Sequence, residues 1–148
     1  KDDDAFYCDF PEPKTKKIID FLEDKVHEKY YYTDRYKPYE TIKKEVVDDI
    51  STGTIYQYRR YYVRENKSGV CPTLTANMGT GGHNVPLIKT KIGIRKLTPR
   101  ECFNLQGFPK DYKFSKMSDN NLYKLAGNAV SLPVVKLIAN RIVEIIAE

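Results

Sequence analysis

The stretch Arg95-Lys96-Leu97-Thr98-Pro99-Arg100-Glu101-Cys102-Phe103-Asn104-Leu105-Gln106-Gly107-Phe108-Pro109 decides how the chain is read. Thr98 can cap a helix, Pro99 suits the first helical position with its fixed φ, and Glu101 stands three residues after the cap. Together they make a capping box. Cys102, Leu105 and Phe108 recur at roughly helical spacing, and Gly107 supplies the stop. Up to this point the segment is a well-capped helix lying on a core.

Working outward, Ser118 is expected to cap a second helix of about two turns that ends near Ala126 and is broken by Gly127-Asn128. Pro133 opens a last helix with Val134, Ile138, Ile142 and Ile145 on one face and Leu137 beside them, and that apolar face needs a partner surface. Upstream, Val85 to Ile88 and Ile92 to Ile94 read as short strands around a basic turn. Asn77 to Asn84 is a glycine-rich loop. Val70 to Ala76 reads as a strand, Glu65 to Gly69 as a polar turn, and Ile55 to Arg64, dense in aromatic and β-branched residues, as another strand. The spacing of Tyr56, Tyr58, Tyr61 and Tyr62 does not sort them between core and surface. Tyr39 to Ile50 is expected to be a short helix. Lys14 to Lys29 has Ile18, Leu22 and Val26 four apart with Ile19 beside them, the pattern of an amphipathic helix with a solvated charged face. Phe6, Tyr7 and Phe10 suggest a strand that ends at Pro11 and Pro13. The expected class is α+β: a small, mostly antiparallel sheet with flanking helices.

The 148 residues carry a formal charge of +5, which mildly favours an acidic partner such as DNA. Cys8, Cys71 and Cys102 are odd in number and lack paired short spacing, which argues against a disulfide framework or a cysteine metal site. A reducing cytoplasm is the natural setting for such thiols. No apolar run approaches the roughly 20 residues of a membrane span.

The order of motifs carries more than the elements do. Arg95 to Pro109 resembles the ninth shared motif of the DNA cytosine-5 methyltransferases. Tyr123-Lys124-Leu125-Ala126-Gly127-Asn128-Ala129-Val130, followed by Pro133-Val134-Val135, resembles the tenth. Pro72-Thr73-Leu74-Thr75 and Gly79-Thr80-Gly81-Gly82-His83-Asn84 resemble the second half of that family's target recognition region. The resemblance implies residues 1–94 as the recognition region and 95–148 as the ninth-motif helix, tenth-motif turn and closing helix. It covers roughly the last third of such an enzyme. The closing helix would pack on a Rossmann-like catalytic domain that the sequence does not contain.

The family needs a nucleophilic cysteine in a Pro-Cys pair, an acid in Glu-Asn-Val, and a glycine-rich loop for its donor, S-adenosylmethionine. Here Cys71-Pro72 has the reverse order. Glu65-Asn66-Lys67 is read as a solvated turn, and Gly79 to Gly82 does not lie between a strand and a helix as a cofactor loop should. No catalytic or metal-binding residue is assigned, and the chain alone is expected to be inactive. It is read as a fragment of a longer polypeptide or the small subunit of a split enzyme. The alternative is a self-sufficient, non-catalytic DNA-binding module.

For duplex DNA, Arg59 and Arg60 suit guanine edges or phosphates, or else a solvated strand face. The resemblance places Thr73 and Leu74 beside the flipped nucleotide's backbone, although Thr73 is also an ordinary strand residue. Asn77, Gly79, Gly81 and Gly82 would bring backbone N–H groups to phosphate, unless their loop is a plain hairpin connection. The resemblance also implies that Asn128, Ala129 and Val130 lie against S-adenosylmethionine near its amino-acid end, while Gly127-Asn128 also reads as a plain helix stop. Arg95, Arg100 and Glu101 are read as structural, an Arg–Glu arrangement bracing the recognition region against the helix that follows.

Overall fold

The computed structural model describes residues 16–78 and 84–147. The expected strand around Phe6 to Phe10, the thiol Cys8, and the loop glycines Gly79, Gly81 and Gly82 lie outside the described residues.

Four strands form one antiparallel sheet: β1 (Ile55–Tyr58), β2 (Val63–Asn66), β3 (Pro86–Lys89) and β4 (Ile94–Lys96), in the order β2-β1-β3-β4. The helices are α1 (Tyr39–Glu45), α2 (Pro99–Leu105), α3 (Asp119–Asn128) and α4 (Leu132–Ala147). Side chains alternate across a strand, so neighbouring residues serve opposite faces. Tyr56, Tyr58 and Leu87 pack with Ile42 and Val46 of the α1 segment. Ile55 and Ile88 pack on the other face with Leu97, Cys102 and Phe103, and with Tyr123 and Ala126 of α3. The sheet is therefore covered by α1 on one side and by α2 and α3 on the other. The architecture is the α+β arrangement expected.

The local chemistry at α2 is as expected. Thr98 Oγ1 accepts from Glu101 N at 3.1 Å, Glu101 Oε2 accepts from Thr98 N at 2.8 Å, and Pro99 opens the helix. Gly107 takes φ 85°, and a Cβ there would collide with the Pro133 ring. Only glycine meets both demands without strain. Ser118 caps α3 as expected, but the helix runs on through Gly127 to Asn128 instead of stopping at Ala126.

Three expected elements differ from the sequence reading. Lys14 to Lys29 is no amphipathic helix: its described part forms only two short 3-10 turns, Ile18–Phe21 and Glu28–Tyr30. Tertiary partners take its backbone groups, since Glu23 N donates to Glu101 Oε1 at 3.0 Å and Asn104 Nδ2 donates to the Phe21 carbonyl at 3.0 Å. The run Ile55 to Arg64 is two strands joined by a turn at residues 59–62, with Tyr58 opposite Val63. Glu65 and Asn66, read as turn, end the second of them. Cys71 to Ala76 joins no sheet; Cys71 and Leu74 instead pack against the core beneath α2 and α3.

Arg95 lies opposite Ile88 in the sheet and so faces the α2 layer. Its guanidinium makes a bidentate pair with Glu101, Nη1 to Oε2 at 2.8 Å and Nη2 to Oε1 at 2.7 Å, with both side chains buried. The expected Arg–Glu brace is this contact. The carboxylate also accepts from the Thr98 and Glu23 amides, so its lone pairs are occupied. Such a pair is costly to break, because the remaining charge stays buried and unpaired. Glu101→Gln is expected to lower unfolding stability by about 3–5 kcal/mol, read as a reduced urea midpoint at unchanged slope.

Candidate functional site

The segment 71–76 and the end of α3 meet directly. A Cβ on Gly127 would overlap the carbonyl group of Thr75 and the Ala76 amide, so backbone touches backbone there. Beside this contact is an open cleft of about 520 Å³ lined by Cys71, Pro72, Thr73 and Leu74 on one side and Leu105, Gln106, Gly127 and Ala129 on the other. Thr73 and Leu74, expected at DNA, and Ala129, expected at the donor, thus share one cleft. Asn128 and Val130 do not line it. Asn128 opens toward a separate cavity of about 360 Å³ walled by Phe103, Phe108, Tyr112 and Phe114, and Val130 is exposed.

Gln106 holds this region together, a role its sequence position alone did not assign. Its Nε2 donates to the carbonyls of Ala126 at 3.0 Å and Ala129 at 3.3 Å, and its own carbonyl accepts from Leu132 N at 2.8 Å. One residue therefore fixes the end of α3, the turn, and the start of α4. Its place in the Leu105-Gln106-Gly107 motif was the one signal pointing to it. Tyr123 ties α3 to the sheet side by donating its hydroxyl to the Leu97 carbonyl.

The residues expected at DNA separate into two groups. Thr73 is exposed and Leu74 half-buried at the cleft, and exposed Asn77 accepts at Oδ1 from Thr75 Oγ1 at 2.7 Å. Arg59 and Arg60 lie elsewhere, in the β1–β2 turn. Arg60 is exposed with φ 64°, whereas Arg59 is half-buried and donates from Nη1 to Asn84 Oδ1 at 3.3 Å. Asn84 marks the point where the glycine-rich segment rejoins the described chain, so the turn is fastened beside it. Arg100 is not at either place. Its guanidinium stacks over the Phe114 ring, 3.9 Å from the centroid, and donates to the Tyr112 carbonyl.

The cleft's thiol is unsuited to attack. Burial pushes the Cys71 thiol up to about 12, and burial pushes Cys102 well above the ordinary thiol range. The thiolate is the nucleophilic form, so both are protonated at neutral pH. Among the described residues no group of His, Cys, Asp or Glu could hold a metal ion. No described helix is long and apolar enough to cross a membrane.

A family model for C-5 cytosine-specific DNA methylases matches residues 5–144. This chain belongs to that family. Among curated methylase relatives, it is 55% identical to the type II methyltransferase M.Bsp6I of Bacillus sp. (strain RFL6), over 93% of this chain and 44% of that protein. It is 35% identical to M.SsoII of Shigella sonnei, over 90% of this chain and 34% of that protein. The chain thus spans less than half the length of these relatives. Its fold resembles the crystal structure of the S. pombe Dnmt2 methyltransferase, with a TM-score of 0.62 at 16% identity, over 90% of this chain and 42% of that one. It also resembles the Entamoeba histolytica methyltransferase EhMeth, with a TM-score of 0.58 at 19% identity, over 92% and 43%.

The Cys71 environment has a direct chemical consequence. A thiol raised from 9.0 to about 12 has roughly 1,000-fold less thiolate at pH 8. In a Cys8→Ser variant, iodoacetamide labelling of Cys71 is therefore expected to run far slower than that of a free cysteine at pH 8. It should accelerate with each pH unit until the thiol titrates or the fold opens, as followed by mass spectrometry. Gly127→Ala should overpack the contact with Thr75 and cost about 1–3 kcal/mol, read by thermal or urea unfolding.

Proposed function

We propose that this chain is the target-recognition and donor-pocket-completing part of a DNA (cytosine-5-)-methyltransferase of a restriction-modification system. The complete enzyme transfers a methyl group to C5 of a cytosine in a short duplex site. The observation that carries this reading is the shared cleft, in which the recognition segment at Thr73 and Leu74 abuts the Gly127–Ala129 turn, clamped by Gln106. Residues that touch DNA and residues that touch the donor must be mutually rigid if the reacting atoms are to meet. A backbone-to-backbone contact at Gly127 gives that rigidity.

In this reading residues 1–94 form the recognition region and 95–148 return to the catalytic half. The target carbon lies inside the duplex, so the base is extruded at a cost of a few kcal/mol. Thr73 and Leu74 would sit beside the opened strand, Asn77, Gly79, Gly81 and Gly82 would offer backbone N–H groups to phosphate, and Arg60 would meet the duplex. Asn128 and Ala129, which border the cavity beside Phe108, and the exposed Val130 would make up the donor side of the site for S-adenosylmethionine, which supplies an electrophilic methyl group when bound. The residues fit that role, because the Asn128 amide is exposed at the end of α3 and the Ala129 carbonyl is held in place by Gln106. The catalytic half would supply the rest of that site.

That half would rest on α4. No α4 side chain is buried, although Leu132, Val134, Val135, Ile138, Ile142, Val143, Ile145 and Ile146 are all apolar. An apolar helix of this kind belongs in an interface. The nucleophile, the acid and the donor-gripping loop come from the same missing half, either in one polypeptide or as a large subunit.

The test is methyl transfer from labelled S-adenosylmethionine to mixed-sequence duplex DNA. The chain alone is expected to give no incorporation, and adding the catalytic half of M.Bsp6I is expected to restore it. Ile138→Glu with Ile142→Glu should abolish the restored activity while leaving the chain's own unfolding transition in place. Incorporation by the chain alone, or none with a catalytic half present, would count against the proposal.

A further inference from the structure

The β1–β2 turn is fastened far more firmly than a solvent-exposed connection requires. Arg59 N donates to the Tyr62 carbonyl at 2.8 Å, Tyr61 N donates to the Arg59 carbonyl at 2.7 Å, and the Tyr58 hydroxyl donates to the Arg60 carbonyl. From outside the turn, Asn84 N donates to the Tyr58 carbonyl at 3.2 Å, Gln57 Nε2 donates to the Asn84 carbonyl at 2.9 Å, and Arg59 reaches Asn84 Oδ1. Arg60 and Asn84 both take positive φ, at 64° and 68°. The left-handed region is unfavourable for a side chain as large as arginine, and these bonds hold it there.

The result of this arrangement is a presented ring. Tyr61 is 88% exposed, and its side chain has no hydrogen-bond, ionic or ring partner among the described residues. A tight exposed turn is ordinarily built from Gly, Asn, Asp or Ser, which are cheap to leave in water. Here it is built from two arginines and two tyrosines, with exposed Arg64 on the adjoining strand. The nearest acid in sequence, Glu65, is engaged by Lys67 at 3.5 Å and by the Tyr56 hydroxyl at 3.4 Å. An exposed π-face with exposed arginines at the preceding position and three residues on suits a nucleobase flanked by phosphate, because stacking satisfies the ring and cations satisfy the backbone. Arg59 differs from its neighbour. Tied to Asn84 and half-buried, it sets the direction of the tip instead of reading bases.

Resting on the function proposed above, we propose that Tyr61 is a duplex-inserting residue. Its ring stacks on bases uncovered when the duplex opens, Arg60 lies on the neighbouring phosphate, and Arg59 is a positioning residue that acts through Asn84. Side chains that enter the base stack this way exchange base–base stacking for ring–base stacking.

The test uses the complete enzyme with mixed-sequence duplex DNA carrying 2-aminopurine, reading affinity by anisotropy and base stacking by fluorescence. Tyr61→Ala should weaken binding by roughly 5- to 150-fold, the range for losing one stacked base, and should change the 2-aminopurine signal of the complex. Tyr61→Phe should bind within about twofold of the parent, because stacking needs the ring and not the hydroxyl. Arg60→Gln should reduce the salt slope of binding by about one, uniformly across sequences. Since the Tyr61 ring has no internal partner, the urea midpoints of the Tyr61 variants should match the parent, which separates lost contact from lost fold. If the parent binds the duplex and Tyr61→Ala binds equally well, the insertion is wrong and the recognition reading survives. If Tyr61→Phe is as weak as Tyr61→Ala, the contact is a hydrogen bond and the stacking is wrong. If the parent binds no duplex, both proposals fall together.

Discussion

The structure depends on the buried pair between Arg95 and Glu101. It is the point at which sheet, helix and N-terminal segment are fixed to one another. Arg95 comes from β4, Glu101 from the first turn of α2, and the same carboxylate takes the amide of Glu23 from a segment with little regular structure of its own. A buried pair adds little net stability over an apolar substitute, because desolvating two ions offsets their attraction. What it does add is geometry. The fork of the guanidinium accepts one arrangement of the carboxylate, so the angle between β4 and α2 is set by hydrogen-bond directions as well as by packing.

From that brace the functional geometry follows outward. α2 carries Gln106 at its end, and Gln106 in turn holds α3, the turn after it, and the start of α4. α3 carries Gly127 to the backbone of Thr75. The chain thus runs a continuous set of polar and backbone contacts from the sheet to the cleft. The core packed against the sheet crosses the 94/95 boundary without a break, since Ile55 and Ile88 pack with Leu97, Phe103 and Tyr123. Described residues on both sides of that boundary share one core. The two fold as a unit.

Two surfaces stand outside that unit, and they differ in kind. The face of α4 is aliphatic and broad, the sort of surface that another protein surface covers. The β1–β2 turn is aromatic and cationic, small, and held by hydrogen bonds from Tyr58 and Asn84. In both, the side chains left in water are those with the least reason to remain there.

Much of this was legible in the residue order. The Thr98-Pro99-Arg100-Glu101 capping box, the Gly107 stop, the Ser118 cap and the four apolar residues of α4 each act through neighbours within a turn or two. Local chemistry is what a sequence displays directly. The short strands at β3 and β4 and the Arg–Glu brace were legible for the same reason. The motifs carried the family.

Tertiary structure decided the rest. Ile18, Leu22 and Val26 have helical spacing, yet the segment forms only two short 3-10 turns, because Glu101 and Asn104 capture backbone groups that a helix would have used itself. The run Ile55 to Arg64 has no glycine, proline or asparagine to mark its turn; it reverses because Asn84, 25 residues along the chain, fastens Arg59. That contact sorts the tyrosines, burying Tyr56 and Tyr58 and leaving Tyr61 and Tyr62 outside. Pairings between distant residues carry no periodicity, so only the folded chain could assign them.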